Sequence, residues 1–269
     1  MQPLTLNVLD PEVSSECGID LPVSCQNTTV QSDYCCFEAN GLIQMVQLWD
    51  TDPSTGPENS WTIHGLWPNY CDGSYPEDCD SSRDYDDIST LLEDQGATST
   101  LDYMNTYWLS DDESNEDFWQ HEWDTHGTCY TTLQTSCFPS GSPTGIDAVT
   151  FFERVVSLFQ NLTTYTWLEE GGVTPSDSTT YSLDDLQSAI QSAYGYTASF
   201  DCDDGELYQI EYWFNLQGSL IDGEFIPIDA YEAGSCKRSG IQYLEKSNND
   251  DDGDDDDDDD DGSYSTNGR

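Results

Sequence analysis

Two pairs of short apolar runs, each pair separated by turn residues, form the first pattern in the sequence. Residues 42–49 (LIQMVQLW) and 61–67 (WTIHGLW) are dense in aliphatic and aromatic side chains, and the segment between them, DTDPSTGPENS, is rich in turn formers. Residues 207–216 and 220–228 repeat this pattern on either side of Gly218. The pattern predicts two pairs of strands.

Apolar residues at helical spacing predict the helices. These are residues 88–109 with a break near Gly96, a short helix at 118–126, a helix at 146–162 and a helix at 182–194. Ser182 before the last helix and Gly195 after it are typical of helix ends. Helices interspersed with paired strands predict an α+β domain with a mostly antiparallel central sheet flanked by helices. The stripe of Phe, Val and Leu in 146–162 is expected to be core.

The composition changes near the end of the sequence. Residues 250–261 are all Asp except Gly253, and such a run repels itself and has nothing to bury. We expect one compact domain over residues 1–245 and a disordered acidic tail over residues 246–269. A solvating role for the tail is favoured over specific cation binding or regulation.

The ten cysteines predict five disulfides. The adjacent Cys35 and Cys36 cannot easily bond to each other, so each needs a separate partner. Metal ligation would favour repeated C-x-x-C pairs, and the sequence has none. Five disulfides indicate an oxidising compartment, either outside the cell or a vacuolar or lysosome-like lumen. Glycosylation sequons at Asn27 and Asn161 agree with that route.

Charge and hydropathy narrow the environment in which the protein acts. The 54 acidic residues against six basic ones give a formal net charge of −48 at pH 7. This balance argues against binding phosphate chains through a basic surface, unless acid pH or salt relieves the repulsion. We therefore expect activity on any polyanion to favour acid. Residues 1–15 lack the pattern of a signal peptide, and no run is long enough to span a membrane, so a mature, soluble chain is expected.

The three histidines lie in two Trp-rich stretches: His64 in SWTIHGLWPNYC, and His121 and His126 in FWQHEWDTHGTC. Scattered structural histidines would not be expected to cluster in this way. Imidazole exchanges protons near or below neutrality, so two such groups on either side of a reacting phosphate could act as base and acid.

A metal site is the competing interpretation, because H-E-x-x-x-H resembles the zinc pattern H-E-x-x-H. Residues five apart on an α-helix lie about 140° apart, so His121 and His126 are expected to face away from one metal. Glu122 and His126 would share a face, which suits a carboxylate that orients an imidazole. The sequence therefore predicts no metal and no cofactor.

The two histidine segments resemble the active-site segments of the ribonuclease T2 family, I-H-G-L-W-P and H-E-W-x-K-H-G-T-C. The likeness extends from Cys17 to about Leu244, includes the order of the cysteines, and is closest to the fungal branch. The resemblance implies a T2-like catalytic domain with a metal-independent endoribonuclease activity on single-stranded RNA. The chain would cleave through a 2′,3′-cyclic phosphate to a 3′-phosphate in acid, and DNA would be inert because the 2′-OH is the nucleophile.

The resemblance also assigns roles in catalysis. His126 would take the proton from the 2′-OH and His64 would protonate the leaving 5′-oxygen, while His121 and Glu122 would hold the phosphoryl group. A departure from the family is Thr125, where the family commonly has lysine. The loss of that cation leaves open a catalytically weakened member acting as a secreted binding or signalling protein.

Base recognition is assigned in the same way. Trp67 and Tyr75 match aromatics that stack the base on the 5′ side of the cut, and Phe118 and Gln47 match a second base site. Core packing is the alternative for each of them. Asn69 stands where an adenine-preferring relative has aspartate, which shifts or broadens the expected base preference.

The resemblance further implies which cysteines pair and how the protein assembles. The implied disulfides are Cys17–Cys36, Cys25–Cys71, Cys35–Cys137, Cys79–Cys129 and Cys202–Cys236. The expected partner is the RNA substrate alone, with no membrane, and a monomer is expected.

Overall fold

The computed structural model describes residue 17 and residues 21–26 and 34–246. Within that part, seven strands form one sheet in which β5 is central and pairs with β1, β4, β6 and β7, while β2 pairs with β1 and β3 with β7. Only the contact between β5 and β7 is parallel among these pairs. The strands are β1 (Leu42–Leu48), β2 (Thr62–Asn69), β3 (Thr180–Ser182), β4 (Ser199–Asp203), β5 (Glu206–Gln217), β6 (Glu224–Ile228) and β7 (Ser239–Gln242).

Six α-helices accompany the sheet in the described part of the chain. They are α1 (Ile88–Asp94), α2 (Thr98–Tyr107), α3 (Asn115–His121), α4 (Ile146–Phe159), α5 (Thr164–Glu170) and α6 (Leu183–Tyr194). The predicted break near Gly96 is confirmed, since Gly96 has φ +79° between α1 and α2. The predicted ends of α6 are also confirmed: Asp185 N donates to Ser182 Oγ at 3.2 Å, and Gly195 adopts φ 94°.

Two of the predicted elements have clearly different bounds in the structure, and four observed elements were not predicted. The expected helix at 118–126 is two elements, because α3 ends at His121 and a π-helical turn (Glu122–His126) follows. The strand expected from residue 220 begins at Glu224, since Leu220 and Ile221 pack into the core within the turn. The elements α5, β3, β4 and β7 were not predicted from the sequence; each is short, so its periodicity is weak.

The core lies between the sheet and the helices. The predicted apolar stripe of α4 is confirmed as core, with Phe151, Phe152 and Val155 fully buried. Phe151 packs edge-on against Trp123 of the π turn at 5.7 Å, and Trp123 Nε1 donates to the Arg83 carbonyl at 2.7 Å. These contacts fix the π turn against the core.

The five disulfides have the pairing that the family resemblance implies, with Cys17–Cys36, Cys25–Cys71, Cys35–Cys137, Cys79–Cys129 and Cys202–Cys236 all formed. Cys71 lies just after β2 and Cys129 just after the π turn, so both histidine segments are tethered. No helix among the described residues is long and apolar enough to cross a membrane.

Three other expectations concern the surface and the ends of the chain. Asn161 is exposed, as a glycosylation site requires, whereas Asn27 lies outside the described residues. The Asp-rich run also lies outside them, so its predicted disorder stays a prediction. Lys246 is still anchored, because its Nζ donates to the carbonyls of Thr55 at 2.6 Å and Ser60 at 2.9 Å.

Candidate active site

A β-bulge in β2 sets the orientation of the His64 side chain. In the pairing of β1 with β2, Val46 is opposite Gly65 and Gln47 is opposite Ile63, so His64 is the extra residue between the two pairs. In a regular strand the side chain of His64 would lie on the same face of the sheet as Leu66, which is fully buried, and on the opposite face from Trp67. The bulge instead places its ring edge-on against Trp67 at 4.9 Å.

The π-helical turn brings the other two histidines together. Gly127 N donates to the Glu122 carbonyl, five residues back, and such wider turns place residues five apart on one side. The rings of His121 and His126 are 6.2 Å apart, and ligand atoms of His121, Glu122 and His126 lie within 4.8 Å of one another. The expectation that these histidines face apart is therefore wrong, because it assumed α-helical geometry.

Glu122 is the buried centre of the site. Its side chain is fully buried, Trp67 Nε1 donates to its Oε2 at 2.9 Å, and its Oε1 lies 3.6 Å from His64 Nε2. Burial raises the pKa of Glu122 to about 8, and the hydrogen bond from Trp67 offsets only part of this rise. The carboxyl is thus neutral in acid and can donate a hydrogen bond. Its side-chain contacts are with His64 and Trp67, whereas the α-helical spacing suggested that it would orient His126.

Burial shifts both proposed proton-transfer groups in the same direction. It lowers the pKa of His64 to about 4, helped by the charge of His121 and opposed by a side-chain hydrogen bond with Gln209. It lowers the pKa of His126 to about 3, again helped by His121 and also by His64. Two imidazoles with different pKa values can hold opposite protonation states in acid.

These groups line a cleft of about 550 Å³ on one face of the sheet. Its floor is a row across three strands, in which Gln44 of β1 pairs with Trp67 of β2 on one side and with Trp213 of β5 on the other. Four carboxyl groups also line the cleft, those of Glu77, Glu122, Glu211 and Glu232. None of its lining residues in the described chain is Lys or Arg. Histidines therefore supply the positive charge available to a phosphate.

Trp67, Asn69 and Tyr75 line the cleft, as the family resemblance implies for base contacts. Trp67 has a second role, because His126 stacks on its indole at 4.8 Å and 27°. Tyr75 is 64% exposed and free to stack on a base, while Asn69 Nδ2 lies 3.4 Å from Gln44 Oε1.

The prediction that Gln47 contacts RNA is wrong. Gln47 is fully buried on the opposite face of β1, where its Oε1 accepts from Thr164 Oγ1 at 2.6 Å. Phe118 is 8% exposed and packs 5.6 Å from the ring of His64, so it supports that ring from the core. The sequence pattern missed Gln44, Glu211 and Trp213, although alternation along each strand could have indicated Gln44, three residues from Gln47.

Gly65 leaves the space that Glu122 occupies. A Cβ at Gly65 would overlap the Glu122 carboxylate and approach Trp67 Nε1. We expect Gly65→Ala to displace Glu122 and to lower kcat by about 100-fold, as losing one oriented donor to the reacting group does. Rates with an RNA dinucleotide check this, with circular dichroism as the control for folding. Wild-type kcat in a folded variant would contradict the placement of Glu122.

Comparison with known proteins identifies the family. A family model described as the ribonuclease T2 family matches residues 25–226. The chain belongs to the ribonuclease T2 family. This T2 protein is 54% identical over 239 residues to Ribonuclease Le2 of Lentinula edodes, and the alignment covers 88% of this chain and 99% of that relative. It is 42% identical over 234 residues to Ribonuclease T2 of Aspergillus oryzae, which covers 86% of this chain and 84% of that one.

A solved structure gives the same result for the fold of this T2 protein. The crystal structure of Actibind, described as a T2 ribonuclease, matches with a TM-score of 0.81 and 43% identity, covering 88% of this chain and 99% of that chain. These similarities confirm the predicted family, the α+β fold and the class of enzyme.

Proposed function

We propose that this T2 ribonuclease cleaves single-stranded RNA by metal-independent transphosphorylation, with His126 as the base and His64 as the acid. The endoribonuclease class follows from the family and from relatives named as ribonucleases at 54% and 42% identity. The observation that supports the mechanism is the meeting of His64, His121, Glu122 and His126 in one cleft.

In the first step His126 takes the proton of the ribose 2′-OH, and the 2′-oxygen attacks phosphorus. The bond from phosphorus to the 5′-oxygen breaks, and His64 gives its proton to that oxygen. A 2′,3′-cyclic phosphate results. Water then opens the ring with the two imidazoles in reversed roles, which leaves a 3′-phosphate. DNA lacks the nucleophile and is not cleaved.

His121 and Glu122 stabilise the phosphoryl oxygens in this proposal. His121 is exposed at the cleft and contributes a cation when protonated. Neutral Glu122 donates a hydrogen bond from a buried position, where a donor is worth more than in water. This arrangement needs no bound metal, because imidazole and carboxyl groups supply every proton that moves.

The cleavage assay that tests this function uses single-stranded RNA at several pH values, with and without EDTA. We expect cleavage in acid that EDTA does not change, 2′,3′-cyclic phosphate ends that convert to 3′-phosphates, and no cleavage of DNA of the same sequence. The absence of cleavage at every pH would favour the alternative of a weakened member that acts as a secreted binding or signalling protein. Cleavage that EDTA abolishes would refute the metal-independent mechanism.

The five disulfides and the exposed Asn161 sequon support a further part of the proposal, which is that the protein acts outside the cell or in a vacuole-like lumen. We also propose that it acts as a monomer, because all the proposed catalytic groups come from one chain.

Thr125 offers a test of how charge is supplied to the phosphate. Its Oγ1 lies 3.4 Å from His121 Nδ1, so this position is next to the catalytic groups. We expect Thr125→Lys to raise kcat/KM by about 10-fold to 100-fold, because it restores a cation near the transition state. Thr125→Met is the matched control, with similar length and no charge. Equal rates for the Lys and Met variants would contradict the expectation.

A further inference from the structure

A second exposed aromatic ring, Tyr231, lies at the edge of the catalytic cleft. The residue is 50% exposed. Its ring packs 5.6 Å from Trp213 at an angle of 38°, and it lies so close to Gly73 that a Cβ there would collide with it. Trp213 and Gly73 both line the cleft, and so does Glu232, the residue after Tyr231. The ring therefore continues the wall of the cleft toward solvent.

Both segments that hold this ring are fixed. On one side, Ala230 N donates to the Thr197 carbonyl at 3.1 Å, and the Glu232 carbonyl accepts from Ser199 Oγ at 2.6 Å. On the other side, Gly73 N donates to the Tyr70 carbonyl at 2.9 Å, next to the Cys25–Cys71 disulfide. A ring held on both sides loses little conformational entropy when a ligand stacks on it.

The surroundings of Tyr231 select the chemistry of the ligand. Both segments carry a carboxyl group next to the contact: Glu232 follows Tyr231, and Asp72 precedes Gly73. None of the residues that line the cleft in the described chain is Lys or Arg. Carboxyl groups repel a phosphate, whereas an exposed π-face stacks on any base without needing a cation. The geometry therefore favours a nucleobase.

The strand register gives the position of this base relative to the cut. Trp67 contacts the rings of both His64 and His126, so it lies beside the reacting phosphate. Trp213 lies two strands away across Gln44, about 10 Å from Trp67 at the usual strand spacing. Tyr231 packs on Trp213 and contacts Gly73, so its ring is farther from the catalytic groups than Trp67 is and lies beside the segment that carries Tyr75.

We propose that Tyr231 is an additional nucleobase platform, which stacks a base of the RNA chain on the 5′ side of the nucleotide held by Trp67 and Tyr75. This assignment rests on the proposed function and on the 5′ base site that the family resemblance implies at Trp67 and Tyr75. Tyr231 touches no reacting atom. It strengthens the binding of longer RNA and leaves the chemical step unchanged.

The test compares a dinucleoside monophosphate with two longer substrates that carry the same junction, one extended by two nucleotides at its 5′ end and the other at its 3′ end. We expect the 5′ extension to lower KM for the wild-type enzyme. Tyr231→Ala should raise KM for that substrate by about 5-fold to 150-fold, the usual effect of removing one stacked aromatic, with kcat unchanged. Tyr231→Phe should retain the low KM, because it keeps the ring.

Tyr208→Ala is the matched control, since Tyr208 is 39% exposed and lies outside the cleft. The proposal is overturned if the 5′ extension does not lower KM for the wild-type enzyme, or if Tyr231→Ala keeps the low KM for that substrate. It is also overturned if Tyr231→Ala raises KM equally for the dinucleotide, or raises it for the 3′-extended substrate instead. Oligonucleotides with a 2′-deoxy sugar at the cut are not cleaved, so they allow the same comparison by affinity alone. A wild-type protein that cleaves no RNA would refute the proposed function. The affinities for the uncleaved oligonucleotides would still decide the role of Tyr231.

Discussion

Replacing His126 by alanine is expected to lower kcat for RNA cleavage by about 1,000-fold, within the range that one acid/base group contributes. The variant lacks the group assigned to take the proton of the 2′-OH, and the other groups of the site have other roles: Glu122 is neutral, His64 is needed as the acid and His121 holds the phosphate. The ring of His126 stacks on Trp67 at 4.8 Å, so its removal leaves space next to the reacting phosphate. Single-turnover cleavage of an RNA dinucleotide measures the loss.

Imidazole in the buffer separates a proton-transfer role from a structural one. We expect added imidazole to restore part of the activity of His126→Ala, because a free base can enter the space that the ring leaves. The Tyr208→Ala variant, altered outside the cleft, serves as the control. Its activity should equal that of the wild-type enzyme, both with and without added imidazole. A folded His126→Ala protein with more than about a tenth of wild-type activity would refute the assignment of the base.

The second large effect is expected from pH. His126 must be neutral to act as the base, which requires a pH above its pKa of about 3. His64 must be protonated to act as the acid, which requires a pH below its pKa of about 4. The kcat/KM of the free enzyme should therefore peak between these values and fall about tenfold for each pH unit above them.

Two other groups extend this loss on the alkaline side. Burial raises the pKa of Glu211 to about 7, with help from Asp201, and that of Glu122 to about 8. Both carboxyl groups are thus neutral in acid, and they become anions in the cleft as pH rises through these values. Their ionisation adds repulsion of the phosphate chain to the loss of the protonated acid.

Separate pH profiles for kcat/KM and kcat check this expectation. A bound phosphate favours protonated imidazole, so the alkaline limb of kcat should lie at higher pH than the limb of kcat/KM. The measurement is made at constant ionic strength, because the net charge of −48 at pH 7 makes binding sensitive to salt. A maximum at pH 8 in either profile would refute the assignment of His64 as the acid.

The residue types that carry the chemistry could be predicted from the sequence. Three histidines in two short motifs indicate acid/base catalysis, since imidazole is the group suited to proton exchange in this pH range. Helix ends were equally clear at Ser182 and Gly195, because capping depends on residues within one turn. The disulfide pairing required the family resemblance, since ten cysteines allow many different pairings.

The tertiary structure alone decided how these groups meet. The bulge at His64 and the π turn at Glu122–His126 each insert one residue into a regular element, and neither leaves a signal in the hydrophobic pattern. Gln44 rather than Gln47 faces the cleft because the register of β1 between β2 and β5 decides which side is core. Trp213 and Tyr231 join the site from distant parts of the chain. Local composition determines the chemistry of this protein, whereas strand register and backbone hydrogen bonding determine where that chemistry acts.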